Sequence, residues 1–218
     1  MKRICVMTAV FGDYDRPRPL PQQDIDCRSL LISDRPYDIV GWNNEVVPVP
    51  KSKSSRMAAK EPRCLPHRWT DAEIVVWLDA NLEVRSKSLV RELTAQLGDG
   101  KLGAFRHSFH TSISQEARLA STLPKYSGYD LKKQVKRYLR KGHPDAWGLW
   151  MTGVMVRVST DTVKFGERWL KQIERWGPED QISLPYVLRR TIGYPIDLPF
   201  EGWWQGSRFL LHYHNDGT

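Results

Sequence analysis

Two acids stand where they could do chemistry. Asp79 ends the run Glu73-Ile74-Val75-Val76-Trp77-Leu78, and Asn81 follows two positions on. Ile74 to Trp77 are β-branched or aromatic, so the run reads as a buried strand that delivers Asp79 to its carboxyl end. In open α/β sheets ligands sit outside the carboxyl ends of the strands. A carboxylate there either caps the next turn or holds a hard divalent cation, which can in turn hold a diphosphate. Asp180, in Pro178-Glu179-Asp180-Gln181, stands in the first turn of an expected helix. Acids are common there for dipole reasons, and a catalytic role competes with that account. Arg56 and Lys60, four apart after a serine-rich start, share one face of an expected helix. They are either a solvated basic face or a clamp for a diphosphate.

Other segments must position these groups. Ile4–Val10 reads as a buried first strand, broken by Phe11-Gly12-Asp13-Tyr14-Asp15. Backbone at Thr8 and Ala9 can meet a ribose there, and Tyr14 can stack on a base; an ordinary turn is the plainer account. Ser29–Asp34 is a second strand, and its terminal Asp34 arrives at the same edge. Residues 37–49 read as an edge segment limited by Pro48 and Pro50. Leu89, Val90, Leu93 and Leu97 form a helical core stripe closed by Gly98. Leu102–His107 is a further strand. Helices are expected over 112–123, 129–140 and 162–176. Gly148–Val158 reads as a bent strand or strand pair, with Gly153 marking a close approach of ligand or backbone.

The chain has 218 residues, 40% hydrophobic and 27% charged, with a net charge of +8. This excludes a disordered chain and favours anionic ligands without choosing among them. Three scattered cysteines, Cys5, Cys27 and Cys64, give neither a disulfide framework nor a zinc site. No run reaches the length of a membrane span and no signal peptide is visible, so a cytoplasmic setting is expected. There is no Walker loop, GxGxxG or HExxH. Lys132, Lys133, Lys136, Arg137, Arg140 and Lys141 form either a solvated helix face or a nucleic-acid surface. Trp203 and Trp204 offer a glycan platform, and His212 and His214 share one face of an extended tail.

The chain resembles the TOD1/MUCI70 glycosyltransferase-like domain (DUF616). The segments that carry the resemblance run in order. They are Thr8–Asp15, Arg56–Lys60 with Pro66-His67, Val76–Asn81, Phe105–His107, Gly148-Leu149 leading into Val154–Arg157, and Glu179–Leu184. The resemblance implies one GT-A-like, Rossmann-like α/β domain with a mixed, mostly parallel sheet flanked by helices. Residues 1–100 would form the nucleotide half, and 101–218 the acceptor half with its tail. It implies a hexosyltransferase-like enzyme using a UDP- or GDP-sugar and a divalent metal, Mn²⁺ or Mg²⁺. Thr8, Ala9, Phe11, Tyr14 and Asp34 would hold the nucleoside. Arg56 and Lys60 would face the diphosphate or donor sugar, with Gly153 and Gln181 also on the donor side. Asp79 and Asn81 would stand at the DxD position, with Asp79 and Asp180 catalytic. Because Asn81 replaces the second acid, His212 or His214 would complete the metal set, or the metal would be held loosely, or arginine and lysine would replace the metal.

Overall fold

The structure is a computed structural model that describes residues 2–50, 53–199 and 209–211. Its elements in chain order are β1 (Ile4–Val10), β2 (Arg28–Ser33), β3 (Asn43–Val46), α1 (Ser55–Ala58), α2 (Lys60–Cys64), β4 (Ile74–Leu78) and β5 (Leu82–Val84). There follow α3 (Leu89–Leu97), β6 (Leu102–Arg106), α4 (Ile113–Ala120), α5 (Leu131–Arg140), β7 (Trp150–Val158), α6 (Val163–Trp176), α7 (Asp180–Leu188), β8 (Ile196–Leu198) and β9 (Phe209–Leu211).

Seven strands form one sheet in the order β3-β2-β1-β4-β7-β6-β8. The pairings β3·β2, β2·β1, β1·β4 and β6·β8 are parallel; only those of β7 with β4 and β6 are antiparallel. The expected mixed, mostly parallel α/β sheet is therefore present. Every residue of β4 is buried, which is why it lacks polar alternation and reads as a continuous apolar run. Gly148–Val158 resolves into a single strand from Trp150. The edge segment shrinks to β3, whose residues are largely exposed.

Both faces of the sheet are covered. On one, Met7, Val75, Trp77 and Met155 pack with Cys64 of α2, Phe165, Trp169 and Ile173 of α6, and Leu184 and Val187 of α7. On the other, Val6, Val76 and Val156 pack against the α3 stripe, Leu89, Val90, Leu93 and Leu97. A third cluster joins α4 and α5 to Ile182 of α7. Among the described residues no helix is long and apolar enough to cross a membrane.

The carboxyl ends of β1, β2, β4 and β6 share one edge, where antiparallel β7 begins. Two devices aim the helices at that edge. Ser54 caps α1, its hydroxyl accepting from the Met57 N–H at 3.4 Å, and α2 follows directly after Ala59. Arg56 and Lys60 thus lie on two short helices instead of one face of a longer one. Gly166 of α6 lets α2 approach: a Cβ there would fall 1.9 Å from the Cys64 carbonyl oxygen. Gly166→Ala is therefore expected to cost at least about 2 kcal/mol in urea denaturation, because backbone, not a flexible side chain, must move.

Candidate active site

Trp77 and Asp79 lie two apart across the end of β4, hence on one face. The Trp77 Nε1–H donates to Asp79 Oδ1 at 2.8 Å. Arg63 of α2 lies over the Trp77 ring, 5.1 Å from its centroid, and its Nη2 donates to the same Asp79 oxygen. Its Nη1 donates to Asp180 Oδ2, which also accepts from Lys60 Nζ at 2.7 Å. Thr152, two residues into β7, donates its hydroxyl to Asp180 Oδ1 at 2.9 Å. Helix α2 supplies two cations, and the sheet edge and the start of α7 supply the carboxylates between which Arg63 sits.

Burial sets the strength of this arrangement. Side-chain exposure is 5% for Asp180, 8% for Arg63 and 15% for Lys60, against 29% for Asp79. Burial alone would raise the Asp180 pKa, but Lys60 and Arg63 more than offset it and hold the carboxyl below its usual range. The neighbouring Glu179 behaves oppositely. Burial, followed by the negative charges of Asp180 and Glu116, pushes it up to about 7. Glu179 caps α7, accepting from the Gln181 N–H at 3.1 Å, and bonds the buried Tyr126 hydroxyl. Gly177 makes the turn before this pair, at φ +116; a Cβ there would meet the Tyr129 ring at 2.3 Å.

These groups line a cleft of about 190 Å³, together with Ala9, Tyr14, Asp15, Arg56, Lys125 and Gln181. Arg56 lies between two rings, 4.9 Å from Tyr14 and 5.1 Å from Tyr126, and its Nη1 donates to the Lys125 carbonyl at 2.6 Å. Past Asp15 a second groove, about 610 Å³, runs along Asp13, Arg16, Arg35 and Tyr37.

Of the residues singled out from sequence, Ala9, Tyr14, Arg56, Lys60, Asp79, Asp180 and Gln181 come together in the cleft. Others do not. Thr8 points to the opposite face of β1 from Ala9 and is buried. The Phe11 ring belongs to the core. Asn81 is buried, 6% exposed, and lines no part of the cleft. Gly153 is buried and is not among the residues lining the cleft; its carbonyl accepts the Asp79 N–H at 2.8 Å, continuing the pairing of β4 with β7. Asp34 stands aside, accepting the Gly12 N–H at 2.8 Å and facing Arg35 at 3.5 Å. His212, His214, Trp203 and Trp204 lie outside the described residues. The basic helix α5 buries Leu131, Gln134, Val135 and Tyr138 and exposes Lys132, Lys133, Lys136 and Arg140, well away from the residues of the cleft in the chain and absent from its lining.

Sequence reasoning missed Arg63, Trp77, Thr152 and Glu179. Arg63 is three residues beyond Lys60, a same-face spacing obscured by the intervening Pro62, which α2 accommodates in its first turn. It also missed a cluster of His107, His110 and Glu116, whose ligand atoms lie within 4.8 Å of one another. As built, this cluster is a hydrogen-bonded unit. His107 Nδ1 accepts from the Phe109 and His110 N–H groups at 3.2 and 2.9 Å, which leaves the ring proton on Nε2, facing Glu116 at 3.3 Å. A metal on Nε2 would need the opposite tautomer.

The sheet and its edge cleft define an open-sheet α/β protein with a charged site at the carboxyl ends of its strands. It shares its fold with WbbM, a bifunctional glycosyltransferase solved in its apo state, at a TM-score of 0.50 and 13% identity, over 85% of this chain and 37% of that one. The chain belongs to the TOD1/MUCI70 glycosyltransferase-like domain family, whose profile it matches over residues 21–198. Arg56 through Leu184 fall inside that range; Thr8–Asp15 precede it. No curated protein matches the sequence.

Removing the Asp180 charge would leave Lys60 and Arg63 buried against a neutral group. Asp180→Asn is expected to destabilise by about 3–5 kcal/mol. Asp79→Asn, at the more exposed end where Arg63 keeps Asp180, should cost about 1 kcal/mol. Urea denaturation of both variants at one pH measures the difference.

Proposed function

We propose that the protein transfers a sugar from a nucleoside diphosphate sugar to a hydroxyl acceptor. The observation that carries this reading is a cleft at the carboxyl edge of the sheet in which Arg56, Lys60, Arg63 and Lys125 line the same wall as a buried pair of carboxylates. Membership of a glycosyltransferase-like family supports it. The cleft alone is smaller than a nucleotide sugar needs. The diphosphate and sugar therefore occupy the cleft, and the nucleoside extends past Asp15 into the groove along Tyr37 and Arg35.

In this reading the acceptor oxygen attacks the anomeric carbon. The bond from that carbon to the phosphate oxygen breaks, and its electron pair leaves with the nucleoside diphosphate. The growing negative charge meets cations already fixed in place, so little reorganisation is needed during the step. The acceptor proton goes to Glu179. Asp180 suits that task poorly because Lys60 and Arg63 hold it in its ionised form, with a proton affinity below the usual carboxylate range. Adjacent carboxylates whose surroundings drive their affinities for protons apart divide the work between them. Asp180 holds the cations, and Glu179 takes the proton in a single displacement with inversion.

Two measurements test this. Calorimetry with UDP, GDP and their sugars should show binding that Lys60→Ala weakens about tenfold, the loss of one charge-assisted contact. No binding of any of them would overturn the reading. Glu179 must be ionised to accept a proton, so turnover should fall as pH drops through about 7. Glu179→Gln should abolish that limb and lower kcat by about 100-fold or more, with donor affinity retained. Stability runs the other way. The folded pKa is raised from its ordinary 4.5, so wild-type protein loses stability as pH rises from 4.5 to 7. The Gln variant should lack this loss.

A further inference from the structure

The fold family implies a divalent cation on the acid after the central strand, and the residues present do not fit one. A hard cation needs several oxygen ligands converging on one point. Here three of the four carboxylate oxygens of Asp79 and Asp180 already accept from protein donors: Arg63 and Trp77, Lys60 and Arg63, and Thr152. The space between the two carboxylates holds the Arg63 guanidinium. Asn81, which would supply the next ligand, is buried away from the cleft.

We infer that Arg63 is the resident cation of this site, bridging Asp79 and Asp180, and that the protein binds its donor diphosphate without a divalent metal. This rests on the transfer reading above. Three observations carry it. Arg63 cannot readily leave, since it is buried, forked between two carboxylates and held over Trp77, and withdrawing it would strand Asp79 and Asp180 side by side. Arg63 lines the cleft while its two Nη groups stay on Asp180 and Asp79, so it offers a fixed positive charge to a ligand there without giving up either carboxylate. Lys60 and Arg56 stand in the same wall and add the further charge that a dianionic diphosphate requires.

The test uses Mn²⁺ as its probe in two separate titrations. In calorimetry, UDP or GDP should bind in EDTA within about threefold of its affinity in Mn²⁺. In a spin-resonance titration of free Mn²⁺ against the protein alone, wild type should show no saturable site. Arg63→Met should gain one, because two carboxylates then face each other without a counter-ion, and adding Asp79→Asn should abolish the gain. Arg63→Gln serves in place of Arg63→Met if the latter fails to fold by circular dichroism. A nucleotide affinity raised about tenfold or more by Mn²⁺, or a wild-type Mn²⁺ site lost in Asp79→Asn, would overturn the inference while leaving sugar transfer intact. Failure of every nucleotide to bind in either buffer would strike the transfer reading instead. The Mn²⁺ titration would then decide the role of Arg63 by itself.

Discussion

A buried guanidinium must be neutralised where it lies, and that requirement organises the site. Arg63 reaches Asp79 on β4 with one nitrogen and Asp180 on α7 with the other. Its position depends on α2 lying close against α6, which Gly166 permits. Asp180 depends on the turn at Gly177 and on the Trp169 Nε1–H, which donates to its carbonyl at 3.2 Å. Thr152 reaches the same carboxylate only because β7 runs antiparallel and begins at the edge where the parallel strands end. Strand order, helix packing and site charge are thus one problem. A guanidinium suits it better than an ammonium, because a planar fork can serve two carboxylates at once.

The same charges set the contrast between neighbours in the chain. Asp180 has three donors, two of them cations; Glu179 has the Tyr126 hydroxyl, the Gln181 N–H and nearby negative charge. One carboxylate is fixed in its ionised form while the other keeps its proton to near neutrality. Tyr126 shares the second environment, its phenol pushed far above the ordinary range by burial and by Glu179. Glu116, tied to His107 and His110, adds to the negative field around Glu179 from behind.

Much of this was legible in the sequence. The β4 run, the α3 stripe and the acid at the strand end follow from periodicity and turn chemistry, and they give the sheet and its working edge. The fork was hidden for physical reasons. Arg63 follows a proline, and a proline reads as a helix stop unless the helix is known to begin just before it. Trp77 reads as core, which it is, while its one polar atom serves the site. Glu179 reads as a cap, and it does cap α7; its raised proton affinity comes from groups far away in the chain. Thr8, Phe11 and Asn81 misled for the converse reason. Adjacency to a motif says which strand end a residue occupies, but Thr8 faces away from Ala9 by alternation, and Phe11 and Asn81 lie past the ends of β1 and β4, where the chain turns them into buried positions.

The charges along the cleft explain why a basic chain needs so many acids at its site. Arg56, Lys60, Arg63 and Lys125 face Asp15, Asp79, Glu179 and Asp180, so the wall is neutral when all are ionised and carries one positive charge when Glu179 is protonated. In the proposed reaction a diphosphate gains charge as it departs, and a proton arrives on Glu179 in the same step. Each event offsets the other: the new negative charge strengthens Glu179 as a proton acceptor, and the arriving proton removes a charge that would repel the leaving group. Water would screen this coupling, and burial preserves it. An acid held ionised by Arg63 and Lys60 could not take part, since its proton affinity is already committed to the cations beside it.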